Sequence, residues 1–121
     1  LSEFAEGLDS CFHYAARASF KGSWSKFEAV NVFGTENLVT ACQQVERLVL
    51  CSTQAVVLQD RDIREADETL AYPKEFIDPY ARSKSMAEKI VCEQHPGGVV
   101  VRPPWVWGAG DDAGARCAAG D

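Results

Sequence analysis

Three continuous apolar runs, separated by stretches with helical character, constrain the fold of this chain more than any other feature. The runs are residues 10–16, 46–52 and 99–102, and the helical stretches are residues 1–8 (a short tail), 26–44 and 79–93. Each run is largely apolar rather than alternating between apolar and polar residues, which is typical of parallel strands covered on both faces. The order is helix tail, strand, helix, strand, long loop, helix, strand. This alternation predicts an α/β fold with a doubly wound parallel sheet.

The carboxyl ends of the predicted strands are where folds of this class bind their ligands. They fall at Ala15 and Ala16, at Ser52 and Thr53, and at Arg102 and Pro103. Since parallel strands end at the same edge of a sheet, we expect these residues to lie along one rim.

The last predicted helix carries a phenol and an ammonium group at helical spacing. Asp78 and Pro79 predict its start, as an N-cap and a first helical residue. Tyr80 and Lys84 are four residues apart and so share one face. An ammonium about 5 Å from a phenol favours the phenolate by roughly 3 kcal/mol, or about 2 pKa units, at an effective dielectric of ~20. Taken alone, however, the spacing is more commonly a helix surface with a half-buried ring and a solvated lysine.

Together with the strand end at Thr53, this pair predicts hydride-transfer chemistry at a carbinol. Thr53, or Ser52 beside it, would hold the substrate oxygen. Tyr80 would move the proton of that oxygen as a general acid or base. Lys84 would tune Tyr80 and hold a ribose of the cofactor.

Composition argues against several classes of partner. The net charge is −6 with no basic run, so we expect no nucleic-acid partner. No apolar stretch approaches the ~18 residues of a membrane span, and we expect no secretory signal. The five scattered cysteines predict buried free thiols in a reducing, cytoplasmic compartment, and no metal site.

Five short motifs follow one another along the chain. They are GLDSCFHYAA (7–16), NVFGTENL (31–38), RLVLCST (47–53), YARSK (80–84) and RPPWVWGAGD (102–111). In these motifs, their order and their gaps the chain resembles the extended short-chain dehydrogenases/reductases, which include nucleotide-sugar epimerases and 3β-hydroxysteroid dehydrogenases. Residues 60–63 and 67–73 look like the 3β-hydroxysteroid dehydrogenase branch, and residues 54–57 lack the Val-Tyr-Gly common in the epimerases.

The resemblance implies a Rossmann-like domain, NAD or NADP as cofactor, and a small-molecule substrate with a secondary alcohol or ketone. It places the catalytic groups at Thr53, Tyr80 and Lys84, with Tyr80 and Lys84 also bonding the nicotinamide ribose. The other residues implied to border the dinucleotide are Tyr14, Ala15, Ala16, Pro103 and Pro104. A nucleotide-sugar epimerase or dehydratase, and a non-catalytic binding protein on the same scaffold, remain as alternatives.

The family's glycine-rich phosphate loop and its C-terminal substrate domain are not in this sequence. Residues 1–121 therefore read as the central fragment of a dinucleotide-binding domain, with residues 103–121 leading toward the substrate-binding part. We expect this chain alone to be inactive, because the pyrophosphate would have no cradle. The sequence does not choose an oligomeric state, and a homodimeric parent protein is one alternative.

Several residues have a plainer interpretation beside the functional one. His13 is expected to be a core or strand-edge histidine, and Asn31 a hydrogen bonder between helix and sheet. Ala15 and Ala16 could be packing alanines, while Trp105 and Trp107 fit a core or a pocket wall equally. Gly34, inside a helix, predicts close packing at that point.

Overall fold

A computed structural model describes residues 1–19, 21–59, 63–106 and 108–109 of the chain. It contains a three-stranded parallel sheet, and its strands are β1 (Ser10–His13), β2 (Arg47–Cys51) and β3 (Gly98–Val101). The strands lie side by side in the order β1-β2-β3. The predicted α/β architecture with parallel strands and intervening helices is confirmed, and the carboxyl ends of all three strands lie at one edge.

The helices of the described residues pack on one face of this sheet. They are α1 (Ser2–Ala5), α2 (Trp24–Phe27), α3 (Gly34–Ala41) and α4 (Pro79–Gln94). A core of seven buried residues joins helices and sheet: Val32, Val39, Leu48, Leu50, Ala87, Ile90 and Val91. On the other face Phe12, Val49 and Val99 form one row across the strands, with Phe12 63% and Val99 41% exposed. The second helical layer of a doubly wound fold is therefore not formed by the described residues.

The helix α4 begins and ends where its sequence directs. The Asp78 carboxylate accepts a hydrogen bond from the Ala81 N–H at 2.6 Å, which confirms the predicted cap. Its buried residues include Lys84 and Glu88 besides the apolar ones. None of the helices in the described part of the chain has the length and apolarity required to cross a membrane.

The second predicted helix is shifted toward the N-terminus and is less regular than expected. It begins at Trp24 rather than Lys26 and ends at Ala41, and its middle, Glu28–Phe33, is a π-helix between α2 and α3. The close packing predicted at Gly34 is wrong, because a Cβ there would meet only the Ala29 carbonyl oxygen at 3.9 Å. The other differences are small: β1 ends at His13 rather than Ala16, and β3 begins at Gly98 rather than Val99.

The described cysteines are free thiols, but not all are buried as predicted. Cys42 is buried, Cys11 and Cys51 are half-buried, and Cys92 is exposed. Among the described residues, no group of three or more histidine, cysteine, aspartate or glutamate side chains could hold a metal ion. Four predicted features lie outside the described residues in whole or in part: the acidic residues 60 and 62, Trp107, Cys117 and the tail from residue 110 onward.

Candidate active site

The phenol of Tyr80 and the ammonium of Lys84 lie near the carboxyl end of β2. Both side chains project from one face of α4, and both are within electrostatic reach of the Cys51 thiol, which is the last residue of β2. The Lys84 ammonium also interacts electrostatically with His13, the last residue of β1, and lowers its pKa. The fold therefore brings these two groups to the rim where the strands end.

Lys84 is a buried cation whose ammonium forms no hydrogen bond or ion pair with any residue that the structure describes. The side chain is 1% exposed, which is rare for a lysine unless it is paired. Burial lowers the pKa of Lys84, while Cys51 and Glu88 raise it. A cation held in this way is costly, as expected of a side chain whose partner is a bound ligand.

The predicted lowering of the Tyr80 pKa by Lys84 is wrong, because the pKa shifts in the opposite direction and from other causes. Burial, the Cys51 thiol and the Asp78 carboxylate raise the pKa of Tyr80 instead of lowering it. The half-buried ring loses solvation for its phenolate, and nearby groups that carry negative charge when ionised disfavour it further. Tyr80 is therefore a protonated phenol at neutral pH, suited to donating a proton.

Thr53 lies two residues beyond β2, where it caps the short 3₁₀ helix Gln54–Val57. Its Oγ1 accepts a hydrogen bond from the Ala55 N–H at 3.2 Å, and within the described ranges it makes none to Tyr80 or Lys84. Ser52 beside it is 4% exposed, and its Oγ has no hydrogen-bond partner. The geometry thus presents two hydroxyl groups at this strand end, as predicted, and the buried one is unsatisfied.

The remaining residues predicted to border a dinucleotide follow the two outer strands. Tyr14 and Ala15 are exposed and Ala16 is half-buried, directly after β1. Pro103 is half-buried and Pro104 exposed, directly after β3. The Pro103 carbonyl accepts a hydrogen bond from the Gln54 N–H at 3.2 Å, so the segments after β2 and β3 are joined at the rim.

Residues 1–118 match the model of the 3-beta hydroxysteroid dehydrogenase/isomerase family. This chain belongs to that family. Among curated relatives, it is 40% identical over 118 residues to a 3-beta-hydroxysteroid dehydrogenase of Mycolicibacterium neoaurum, covering 87% of this chain and 32% of that protein. It is 36% identical over 118 residues to the 4-hydroxy-2-methyl-3-oxo-4-farnesyl-3,4-dihydroquinoline-1-oxide ketoreductase of Stigmatella aurantiaca, covering 93% and 35%. The chain spans about a third of the length of these relatives.

The fold is also that of a solved nucleotide-sugar enzyme. The UDP-glucuronic acid 4-epimerase of Bacillus cereus, solved in complex with NAD, superposes with a TM-score of 0.74 over 88% of this chain and 36% of that one. At 20% identity this likeness shows the fold alone.

The sequence did not predict that Asn31 links the loop after β1 to helix α4 beside the candidate site. Asn31, 1% exposed in the π-helix, accepts the Arg17 N–H at 2.7 Å and donates to the Arg17 carbonyl at 3.2 Å. It also donates to Ser83 Oγ at 2.8 Å, and Ser83 in turn donates to the Tyr80 carbonyl at 2.8 Å. The amide therefore joins the loop after β1 to the helix of Tyr80, not to the sheet as predicted. The available signal was the position of Asn31 at the start of the motif NVFGTENL.

His13 is the buried strand histidine that was predicted. It is 6% exposed, and its Nε2 lies 2.9 Å from Thr35 Oγ1. Thr35 donates its own hydroxyl proton to the Asn31 carbonyl at 2.7 Å, which leaves Nε2–H of His13 as the donor. Burial and the Lys84 ammonium lower the pKa of His13, so the ring is neutral.

Proposed function

We propose that the whole protein is an NAD(P)-dependent oxidoreductase that interconverts a secondary alcohol and a ketone on a 3β-hydroxysteroid or a related 3-oxo substrate. The single observation that carries this proposal is the buried Lys84 ammonium, which has no partner in the described structure and lies with Tyr80 at the strand rim. Membership of the family and the names of the curated relatives, a hydroxysteroid dehydrogenase and a ketoreductase, support the substrate class.

The residues present fit the nicotinamide-ribose end of a dinucleotide. Lys84 offers an ammonium donor to ribose hydroxyls, and Tyr80 offers a phenol beside it. Small residues after β1 (Ala15, Ala16) and the half-buried Pro103 after β3 leave apolar surface for a ring. When bound, the dinucleotide supplies or accepts the hydride.

In the reductive direction, each residue has a separate task. Thr53 or Ser52 binds the carbonyl oxygen of the substrate. Tyr80, whose raised pKa keeps it protonated, donates its proton to that oxygen as the carbon receives a hydride. Lys84 holds the ribose and stabilises the phenolate that remains. Oxidation of the alcohol reverses these transfers.

Replacing Tyr80 in the whole protein tests the proposal. Tyr80→Phe removes the proton donor and keeps the ring, so we expect kcat to fall by about 10²–10⁴-fold. The affinity for reduced dinucleotide, measured by energy transfer from tryptophan, should change by less than about tenfold. An unchanged kcat would favour a non-catalytic binding protein on the same scaffold.

A nucleotide-sugar epimerase or dehydratase is the second candidate, which the fold of the Bacillus cereus epimerase favours. Such an enzyme recycles its dinucleotide, whereas a dehydrogenase releases it reduced. The whole protein should therefore form net NADH or NADPH with a 3β-hydroxysteroid. Conversion of a UDP-sugar without net reduced dinucleotide would overturn the proposal in favour of this alternative.

A further inference from the structure

Glu88 is a buried carboxylate at the next four-residue step after Tyr80 and Lys84 on α4. It is 1% exposed, and glutamate is almost never so buried unless it is paired. The proposed chemistry gives it no role. It nevertheless shares the helix face that carries both proposed catalytic groups.

Two partners from outside the helix bind the Glu88 carboxylate. The Tyr72 hydroxyl donates to Oε2 at 2.6 Å. Arg102 donates from Nε to Oε1 at 3.0 Å and from Nη2 to Oε2 at 2.6 Å, which makes a bidentate pair. The Arg102 guanidinium also lies 5.5 Å from the centre of the Tyr72 ring. Glu88 therefore joins the long loop, α4 and the end of β3.

The Glu88 carboxylate also interacts electrostatically with the Lys84 ammonium. The groups that interact electrostatically with Lys84 are Cys51 from β2, His13 from β1 and Glu88 from its own helix. Cys51 and Glu88 raise the pKa of Lys84 against the effect of burial, and His13 is neutral. The groups facing Glu88 itself are Tyr72, Arg102, Cys92 and Lys84.

Arg102 extends this cluster to the rim. The next residue is Pro103, whose carbonyl accepts the Gln54 N–H, and the preceding Val101 carbonyl accepts the Ser52 N–H at 2.7 Å. The two strand ends are thus bonded to each other on both sides of Thr53. The bidentate pair then fixes them to α4.

We propose that Glu88 is a positioning residue that places a buried negative charge one helical turn from the Lys84 ammonium and, through Arg102, holds the rim at Thr53 and Pro103 against α4. This inference rests on the proposed function, since it takes Lys84 as the group that binds the ribose. A merely structural ion pair would stabilise the fold without setting the pH range of cofactor binding.

The test is the pH dependence of the Kd for NADH and NADPH in the whole protein, followed by energy transfer from tryptophan. Glu88→Gln keeps the shape and removes the negative charge. Lys84 then loses its proton at lower pH, so the alkaline weakening of binding should begin about one pH unit lower than in the wild type. Arg102→Gln removes the positive charge that compensates Glu88, so Lys84 should keep its proton to higher pH. The alkaline weakening of binding should then begin at higher pH than in the wild type.

Matched controls separate this effect from a general change of charge. Glu93→Gln changes an exposed carboxylate on the same helix, and Arg47→Gln an exposed guanidinium at the far end of β2. Neither variant should change the pH at which dinucleotide binding weakens on the alkaline side. Lys84→Met should abolish this pH dependence. Shifts of opposite sign for Glu88→Gln and Arg102→Gln are the expected result.

A lower melting temperature in both Glu88→Gln and Arg102→Gln, with the alkaline weakening of binding still at the wild-type pH, would overturn the inference and leave a structural ion pair. Alkaline weakening of binding that persists in Lys84→Met would overturn the inference as well. Should Glu88→Gln fail to fold, Arg102→Gln decides alone, with an upward shift expected and any other result contrary. A wild type that binds neither dinucleotide would instead refute the proposed function.

Discussion

At the scale of single residues, the site is defined by buried polar groups that have either several partners or none. Asn31 makes three hydrogen bonds through its side chain and Glu88 four, so both are satisfied. The buried Ser52 hydroxyl has no hydrogen-bond partner within the described structure, and the Lys84 side chain is 1% exposed without an ion pair there. Because unsatisfied buried groups cost stability, their position at the strand rim is the strongest local indication of a ligand site.

His13 provides a prediction about pH at this scale. Its pKa is lowered from 6.5 in the folded chain, so its contribution to stability is present above pH 6.5 and is lost as the pH falls below that value. Protonation would also place a second cation near Lys84. We expect the unfolding free energy of the whole protein to fall between pH 7.5 and 5.5, by at most about 1.4 kcal/mol for each pH unit from this group.

The His13→Gln variant isolates that contribution. Glutamine keeps an N–H donor for Thr35 but does not titrate, so urea unfolding of the variant should depend less on pH over the same range. His95 is present in both proteins and cancels in the difference. Equal pH dependence in wild type and variant would show that His13 is not the group responsible.

At the scale of elements, the connection from α4 to β3 depends on a glycine at a close backbone approach. A Cβ on Gly97 would lie 1.9 Å from the Glu46 carbonyl oxygen, while the Gly97 carbonyl accepts the Leu48 N–H at 3.1 Å. Helix α4 is thereby set against the start of β2, which fixes the helix that carries Tyr80 and Lys84.

We expect Gly97→Ala to lower the unfolding free energy by about 1–3 kcal/mol, because the backbone of residues 46 and 97 must separate. Gly34→Ala is the matched control: that position is helical and open, so alanine should be neutral or should stabilise by up to ~1 kcal/mol. Chemical denaturation of both variants measures this. Equal effects at the two glycines would contradict the close approach at Gly97.

The sequence predicted the helices and strands well, but it did not predict the contacts between side chains of different elements. Apolar runs located all three strands, and Asp78-Pro79 located the start of α4, because burial and capping are local properties. The π-helix and the Glu88–Arg102 pair depend on contacts between segments far apart in the chain, which periodicity does not encode. The sign of the Tyr80 pKa shift was missed because proximity to Lys84 was considered and burial was not.

At the scale of the whole molecule, the apolar runs predicted a sheet covered on both faces, and the described helices cover one. The open row of Phe12, Val49 and Val99 lies on the face opposite α3 and α4. The groups of the candidate site all lie at the carboxyl edge or on the helix-covered face. The candidate site therefore lies in the part of the fold that the described residues form.

Tyr80, Lys84 and the strand end at Thr53 are proposed to form one cleft that binds the reacting cofactor and substrate. A crystal structure of the whole protein with a reduced dinucleotide and a 3-oxosteroid would test this arrangement most directly. We predict hydrogen bonds of about 2.7–3.2 Å from Lys84 Nζ to the nicotinamide ribose and from Tyr80 Oη to the ketone oxygen. A dinucleotide bound away from Lys84, or a ketone beyond hydrogen-bonding reach of Tyr80, would show that these residues do not form the active site.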